Sequence, residues 1–520
     1  MAALALPSLS RRSVIAGAAA LWAAACSDRS GAPSGLLRVA IDSEPDSLDP
    51  LKGQFASSAL LYKQLHAPLT EFAPSGGLAP GLAETWRSLD ARSWRFTLRE
   101  GLLWSDGTPL TAEDVVWTAR RAVDPRTGFA DLGDFFAVQG AAAALRGEAS
   151  PEDIGVFAPD ERTVVFELDR PVGLFPVLMR EFYPLPRHSV EANPDDWIAP
   201  EHWVSAGPYV LGANGSLRYR LEKNPRFSAA ESVAVEAIEV VVIEDAAARA
   251  RAFRAGDLDL ADRPPGDQIA FLRERLGDRL RAYDAPILSY VKVNCARPGL
   301  DDPRVRRALS LAIDRERLNR QFFNAEATAA ARIIPDPDAA PATAGRPDEA
   351  RALLAEAGFD AANPLTLRVR ATAGDRDRLA VAMMDDLAAA GVRAEIMASY
   401  PLDLYQAVDA GEYDLALARF DRGLKSDPDF MIQPFTRGGF ADNTNWAGER
   451  RAAFDELMAA ANSEPDAAVR TGLLAQAETI FLEEASSIPL LFEKAYWMIG
   501  ARLDAPESIQ PQLWRDLALR

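Results

Sequence analysis

Two periodicities alternate along this chain. At 94–99, Trp94, Phe96 and Leu98 interleave with Arg95, Thr97 and Arg99, the spacing of a strand with one buried face. Ser105, Asp106 and Gly107 then form a turn, where glycine accepts backbone angles closed to other residues. Thr111 and Asp114 are spaced as a capping box, and Val115, Val116, Ala119, Ala122 and Val123 give the helix it opens one apolar face. Strand, turn and capped helix make scaffolding and carry no catalytic chemistry.

The same patterns recur in order. Leu36–Ile41 predicts a short strand and 56–65 a helix. Strand runs follow at 163–168, 217–222 and 238–243, then a helix at 249–260 ended by Gly256, then a strand at 287–294. Asp302 is placed as an N-cap with Pro303 at the first helical position, and Val305, Ala308, Leu309, Ala312 and Ile313 share a face. Pro347 opens a helix at 348–357 that Gly358 ends. Leu365, Leu367, Val369 and Ala371 alternate, a helix spans 375–390, and Val392, Ala394 and Ile396 alternate again. That order predicts a right-handed βαβ unit. A strand at 413–420, helices near 450–462 and 466–484 and a strand at 488–492 complete the chain.

The stretch 77–125 resembles the N-lobe signature of the extracytoplasmic peptide-binding proteins of ABC importers, the oligopeptide- and dipeptide-binding class. Pro80, Ala83, Glu84, Trp86, Trp94 to Arg99, Gly101, Trp104 to Gly107, Pro109 to Ala112, Asp114, Asp124 and Pro125 carry the resemblance. It extends through EPDSLDP at 44–50, WVSAGPYV at 203–210, Gly256 with Asp259, and DDPRVRRALSLAIDRERL at 301–318. The resemblance implies an α/β, two-lobe periplasmic-binding-protein fold with an extra inserted domain and lobes joined by hinge strands. It divides the chain into lobe I at 36–70, 197–287 and 490–520, an inserted domain at 71–196, and lobe II at 288–489. Hinge closure around a ligand is a known repertoire of such folds.

In that family an extended peptide lies between the lobes and pairs with strand backbone on both sides, a strand addition. The substrate-binding residues implied here are Gln54, Phe55 and Ala56 from one lobe, and Ala418, Arg419, Phe420 and Asp421 from the other. Trp117 stands where the family uses an aromatic against the ligand, and Asn443, Asn445 and Trp446 resemble a segment near the cleft. Core packing accounts equally well for Phe55 and Trp117, and a loop turn with a buried Trp is the plainer reading of Asn445 and Trp446. One departure is informative. Family members that grip a free peptide amine place an Asp four residues before the Pro of an acidic-Pro pair. Here that position before Asp427-Pro428 is Leu424, and alignment from Tyr413-Asp414 puts Gly423 there. Neither neutralises an ammonium, whose unpaired burial costs several kcal/mol. Asp421 is the nearest replacement.

Charge and length narrow the classes. A chain of 520 residues exceeds one core. Its net charge of −19 disfavours nucleic acid and anionic membrane surfaces as partners. Arg11 and Arg12 before the apolar run 16–25 resemble a twin-arginine export signal, and Ala23 to Cys26 a lipoprotein processing box with Ala where Leu is usual. Lipid on Cys26, with 26–35 as tether, would anchor the protein in the periplasm or at the outer face of a bacterial membrane; a plain signal cut nearby, with no lipid, is the other reading. Cys295 then stands alone as a small core residue.

No H-E-x-x-H, G-x-S-x-G, C-x-x-C, Walker or G-x-G-x-x-G motif occurs, and His66, His188 and His202 are scattered. Absent motifs do not exclude an enzyme, but the resemblance implies a binding protein, not an enzyme, without cofactor or metal, and a monomer. Its partners would be a short peptide or related solute, a permease pair and their ATPases. Two other readings remain: an envelope sensor or scaffold using the same fold, and transport of a non-peptide solute.

Overall fold

The computed structural model describes residues 35–53, 55–73, 78–128, 137–336, 344–372, 375–421, 428–436, 441–442, 444–507 and 510–520. Arg11, Arg12, Cys26, Gln54, 422–427 and Asn443 lie outside them.

One long twisted sheet runs through both lobes. Across it the strands come in the order Arg393–Ser399, Thr366–Thr372, Leu415–Asp421, Leu280–Val293, Ser487–Ile499, Leu260–Asp262, Leu36–Ile41, Ala237–Val242, Arg218–Lys223 and Tyr209–Gly215. The strands Thr366–Thr372 and Arg393–Ser399 pair in parallel around the helix Asp375–Ala389, the βαβ unit expected from the alternation. A separate four-stranded sheet carries Ala83–Arg87, Ser93–Leu98, Thr163–Glu167 and Val156–Asp160.

Leu280–Val293 and Ser487–Ile499 each belong to both lobes, and both are longer than the alternation at 287–294 and 488–492 suggests. Their apolar runs are buried at each end, so periodicity marks only part of them. The ladder between them slips at two places: between Ser289 and Tyr290, and more widely where Asp284 faces Lys494 and Leu288 faces Phe492, so that Ala285, Pro286 and Ile287 lie opposite Glu493 alone. Pro286 has no N–H to donate to a ladder. The wider interruption of backbone pairing thus falls at 285–287, in the strands that link the two lobes.

The cores largely follow the lobes. Val291, Val305, Leu309, Val369 and Leu417 share a core in lobe II, and Tyr290, Phe420, Phe435 and Phe481 form a second one beside it. In lobe I, Leu37, Val39 and Ile238 share a single core with Trp94, Phe96 and Phe166 of the four-stranded sheet. The inserted domain has its own sheet but no separate core: it packs as one body with lobe I.

The local signals are realised closely. The helix Ala112–Val123 begins with Asp114 Oδ2 accepting from the Thr111 N–H at 2.9 Å, the reach-back arm of the capping box, and its five apolar positions are buried. Asp302 caps the helix Pro303–Ala312. Gly256 adopts φ +83 and ends a helix that runs Ala246–Ala255, earlier than its sequence pattern suggests because Asp245 caps it. Among the described residues no helix is long and apolar enough to cross a membrane.

Candidate functional site

The helix Ala56–Leu65 supplies one wall of a cavity of about 600 Å³ between the lobes. Ala56, Ala59, Leu60 and Lys63 line it, a helical i, i+3, i+4, i+7 face. The loop before the helix is held by three carboxylate contacts. Asp46 Oδ1 accepts from the Phe55 N–H and the Ser58 hydroxyl, and buried Asp49 pairs with Arg121 at 2.7 Å. The SLDP loop thus positions the start of the helix and ties it to the inserted domain.

The opposite wall comes from the strand Leu415–Asp421. Its ladder with the first hinge strand runs to Asp421 opposite Ile287, and both residues line the cavity. Side chains alternate along a strand. Arg419 and Asp421 therefore face the cleft, while Ala418 and Phe420 face the core, where Phe420 packs edge-on to Tyr290 and Phe435. Of the four expected residues, period two allows only half to meet a ligand by side chain. On the strand's other edge the pairing with Thr366–Thr372 covers Leu415 and Ala416. No described strand continues it along 417–419.

The remaining expected residues scatter. Phe55 is 54% exposed at the helix start. Trp117 donates to Glu191 at 3.1 Å and packs against the lobe I core; it is not among the cavity residues. Trp446 is buried against Phe454 and Phe481 under the Arg451 guanidinium. Asn445 donates to Asn294 at 2.9 Å. Asn294 follows the end of the hinge strand, seven residues beyond Ile287, or about 23 Å of strand. That places Asn445 and Trp446 at the end of lobe II away from the cleft.

Residues that sequence reasoning missed supply most of the charge. Lys63, Arg263, Arg419 and Lys494 face Glu181, Asp262 and Asp421, four cations against three anions in a chain that is strongly acidic. Most are tied in networks. Arg419 Nε donates to Glu493 at 3.1 Å, and Glu493, opposite the hinge irregularity, also accepts from Ser289 at 2.5 Å. Arg263 pairs with Asp42 at 2.5 Å and sits at φ +46, a left-handed conformation rare for a residue with a Cβ. Burial works against the Arg263 charge, but Asp262, Asp42 and Asp421 outweigh it and raise its pKa. Burial also raises the Asp262 pKa, opposed by Arg263 and reinforced by Asp42. Asp421 belongs to lobe II and Arg263 to lobe I, so the field already acts across the cleft. Helical spacing from Ala56 could have found Lys63; Arg263, Lys494 and Glu181 arrive by tertiary folding and leave no local signal. Among the described residues no group of three or more His, Cys, Asp or Glu could hold a metal ion.

The model for bacterial extracellular solute-binding proteins, family 5 Middle, matches residues 77–443. The chain belongs to this family. The chain is 29% identical over 481 residues to the probable deoxycholate-binding periplasmic protein YgiS of Escherichia coli, covering 89% of each. It is 28% identical over 482 residues to the periplasmic oligopeptide-binding protein OppA of E. coli, covering 89% of this chain and 87% of OppA. Among solved structures it resembles the unliganded open form of the murein tripeptide-binding protein MppA, with a TM-score of 0.85 at 25% identity over 94% of this chain and 98% of that one. OppA of Burkholderia pseudomallei gives 0.72 at 25% identity, over 94% and 100%. The family and the two-lobe fold thus agree with the expectation from the signature at 77–125. The location of a member of this family is extracytoplasmic.

Proposed function

We propose that this chain is the substrate-binding component of an ABC importer, capturing short peptides or a related small solute in the interlobe cleft and delivering them to a membrane permease. The observation that carries this reading is the cavity itself. It combines paired charges of both signs, apolar wall residues and the strand edge at 417–419, which suits a zwitterionic extended ligand. We take Gln54, Phe55, Ala56, Arg419 and Asp421 as ligand-contacting residues, and Lys63 and Arg263 as further contacts. Ala418 and Phe420 back the lobe II wall, while Trp117, Asn445 and Trp446 hold structure away from the cavity. The division at 70/71, 196/197, 287/288 and 489/490 is our assignment of lobes and insert, with the hinge strands crossing the later two boundaries. We further propose export through the signal at 1–25, anchoring through lipid on Cys26, binding without turnover, and a monomer.

Asp421 takes the peptide amine in this reading. In calorimetric titrations, Asp421→Ala should weaken binding of tri-alanine by roughly 10- to 100-fold, the value of a hydrogen bond between charged groups, and leave N-acetylated tri-alanine unaffected. Equal affinities for wild type and variant would sink this role.

A second reading concerns the ligand alone. Leu424 or, by the other alignment, Gly423 stands where amine-gripping relatives carry a carboxylate, and one relative bears the name of a probable deoxycholate-binding protein. Both favour a solute without a free amine. It predicts binding of N-acetylated peptides or an amphipathic carboxylate in preference to free tri-alanine.

A further inference from the structure

The lobes touch at a second place, remote in sequence from the hinge. The Gly173 N–H of the inserted domain donates to the Asn462 carbonyl at 2.5 Å. A Cβ added at Gly173 would overlap the Glu464 carbonyl oxygen, so only glycine permits this approach. Both partners are held firmly. The loop bearing Gly173 is tied to the small sheet by the Trp94 indole, which donates to the Val172 carbonyl at 3.1 Å. The turn at 462–466 joins the helices Glu449–Ser463 and Ala467–Glu484, and buried Arg470 ties it to Asp429 while donating to the Glu464 carbonyl.

Beside that contact, Phe430 of lobe II is buried in the core shared by lobe I and the insert. The Arg180 guanidinium of the insert lies 4.2 Å from the Phe72 ring centre and 5.9 Å from that of Phe430. Separating the surfaces would expose Phe430 and the Arg180 site together. The ligand cavity takes lining from segments beside both places: Phe72, under the Arg180 guanidinium, and Glu181 near the contact, Ile287 and Lys494 near the hinge.

We propose that the inserted domain supplies a second pivot for lobe movement. Lobe II turns about the line joining the hinge at 285–287 and 493 to the contact of Gly173 with 462–464, and that contact persists while the cleft narrows. Weak pairing at the hinge permits rotation, and a buried aromatic contact at the other end permits turning but not separation. This gives the insert a role that its shared core with lobe I alone does not explain. The proposal rests on the two-lobe fold and not on the identity of the ligand.

The test is electron–electron distance measurement on ligand-free full mature chain, with Cys26→Ser and buried Cys295 left in place. Spin labels at Asp169→Cys and Ala468→Cys span the contact. Labels at Lys52→Cys and Met397→Cys span the cleft, and Lys52→Cys with Asp257→Cys is a control within lobe I. The expected result is a contact pair as narrow as the control and a broader cleft pair. Gly173→Val and, independently, Phe430→Ala should widen the cleft pair further and leave the control unchanged. A contact pair as broad as the cleft pair in wild type overturns the proposal, and so does a cleft distribution unchanged in both variants. Since no ligand is added, failure of the peptide reading would leave this outcome untouched.

Discussion

Asp259→Ala should destabilise lobe I by about 2–4 kcal/mol, the loss expected when one partner of a buried ion pair is removed from two partly exposed ones. The Asp259 carboxylate accepts from the Arg38 N–H at 2.9 Å, from the Arg38 side chain at 3.0 and 3.1 Å, and from Arg502 at 2.8 and 2.7 Å. It fastens the first strand of the lobe to the chain's last segment. Burial opposes the Asp259 charge, yet the hydrogen bonds from Arg502 and Arg38 win and its pKa is lowered. A carboxyl with a depressed folded pKa contributes stability above its unfolded pKa and loses it as pH falls. The variant should therefore differ most from wild type near neutrality and converge with it in acid. Urea unfolding followed by circular dichroism reads both; a neutral-pH difference below about 1 kcal/mol would show the network to be dispensable.

His66→Phe should remove most of an acid sensitivity that the wild type shows between about pH 6.5 and 4. His66 is fully buried among Tyr62, Tyr183 and Trp203, and neither ring nitrogen has a hydrogen-bond partner among the described residues. Burial pushes its pKa down to about 4, against the smaller opposite pull of the Leu48 backbone and Asp49. In the unfolded chain the imidazole takes a proton near its ordinary value while the folded one stays neutral. Stability then falls as pH drops through this window, by about 3 kcal/mol in all, and the dependence flattens below it. Phenylalanine fills the same ring-shaped space and has nothing to protonate. Parallel stability curves for the two proteins from pH 7 to pH 4 would contradict this account.

The sequence revealed most where the physics was local. Alternation at 94–99, the Thr111–Asp114 spacing, the Asp302-Pro303 start and the stop at Gly256 each act within a few residues, and all recur in the structure. The family motifs turn out to hold parts together. The Ser105 N–H donates to the Ser205 carbonyl and the Ser105 hydroxyl accepts from the Ser205 N–H, so the turn at 104–107 staples the insert to the segment 203–210. Asp259 of the Gly256 motif anchors two arginines. A motif of this kind identifies the fold strongly and the ligand poorly.

The cleft was less legible, for three physical reasons. Strand alternation sends Ala418 and Phe420 to the core, which a contiguous assignment over 418–421 ignores. Arg263, Lys494 and Glu181 come from separate segments, and only the folded chain sets them around one space. The hinge strands are buried along most of their length, so apolar periodicity cannot mark the Ala285–Ile287 slip that divides the lobes.

Interlobe capture is tested most directly by native mass spectrometry of the protein as purified, followed by denaturation and identification of what is released. The account predicts one small molecule per chain, a mixture of short peptides in wild type, lost or exchanged when Asp421 is replaced by alanine. A protein that is empty as purified, and whose mass does not shift on adding tri- to penta-alanine, would contradict capture of short peptides in this cleft.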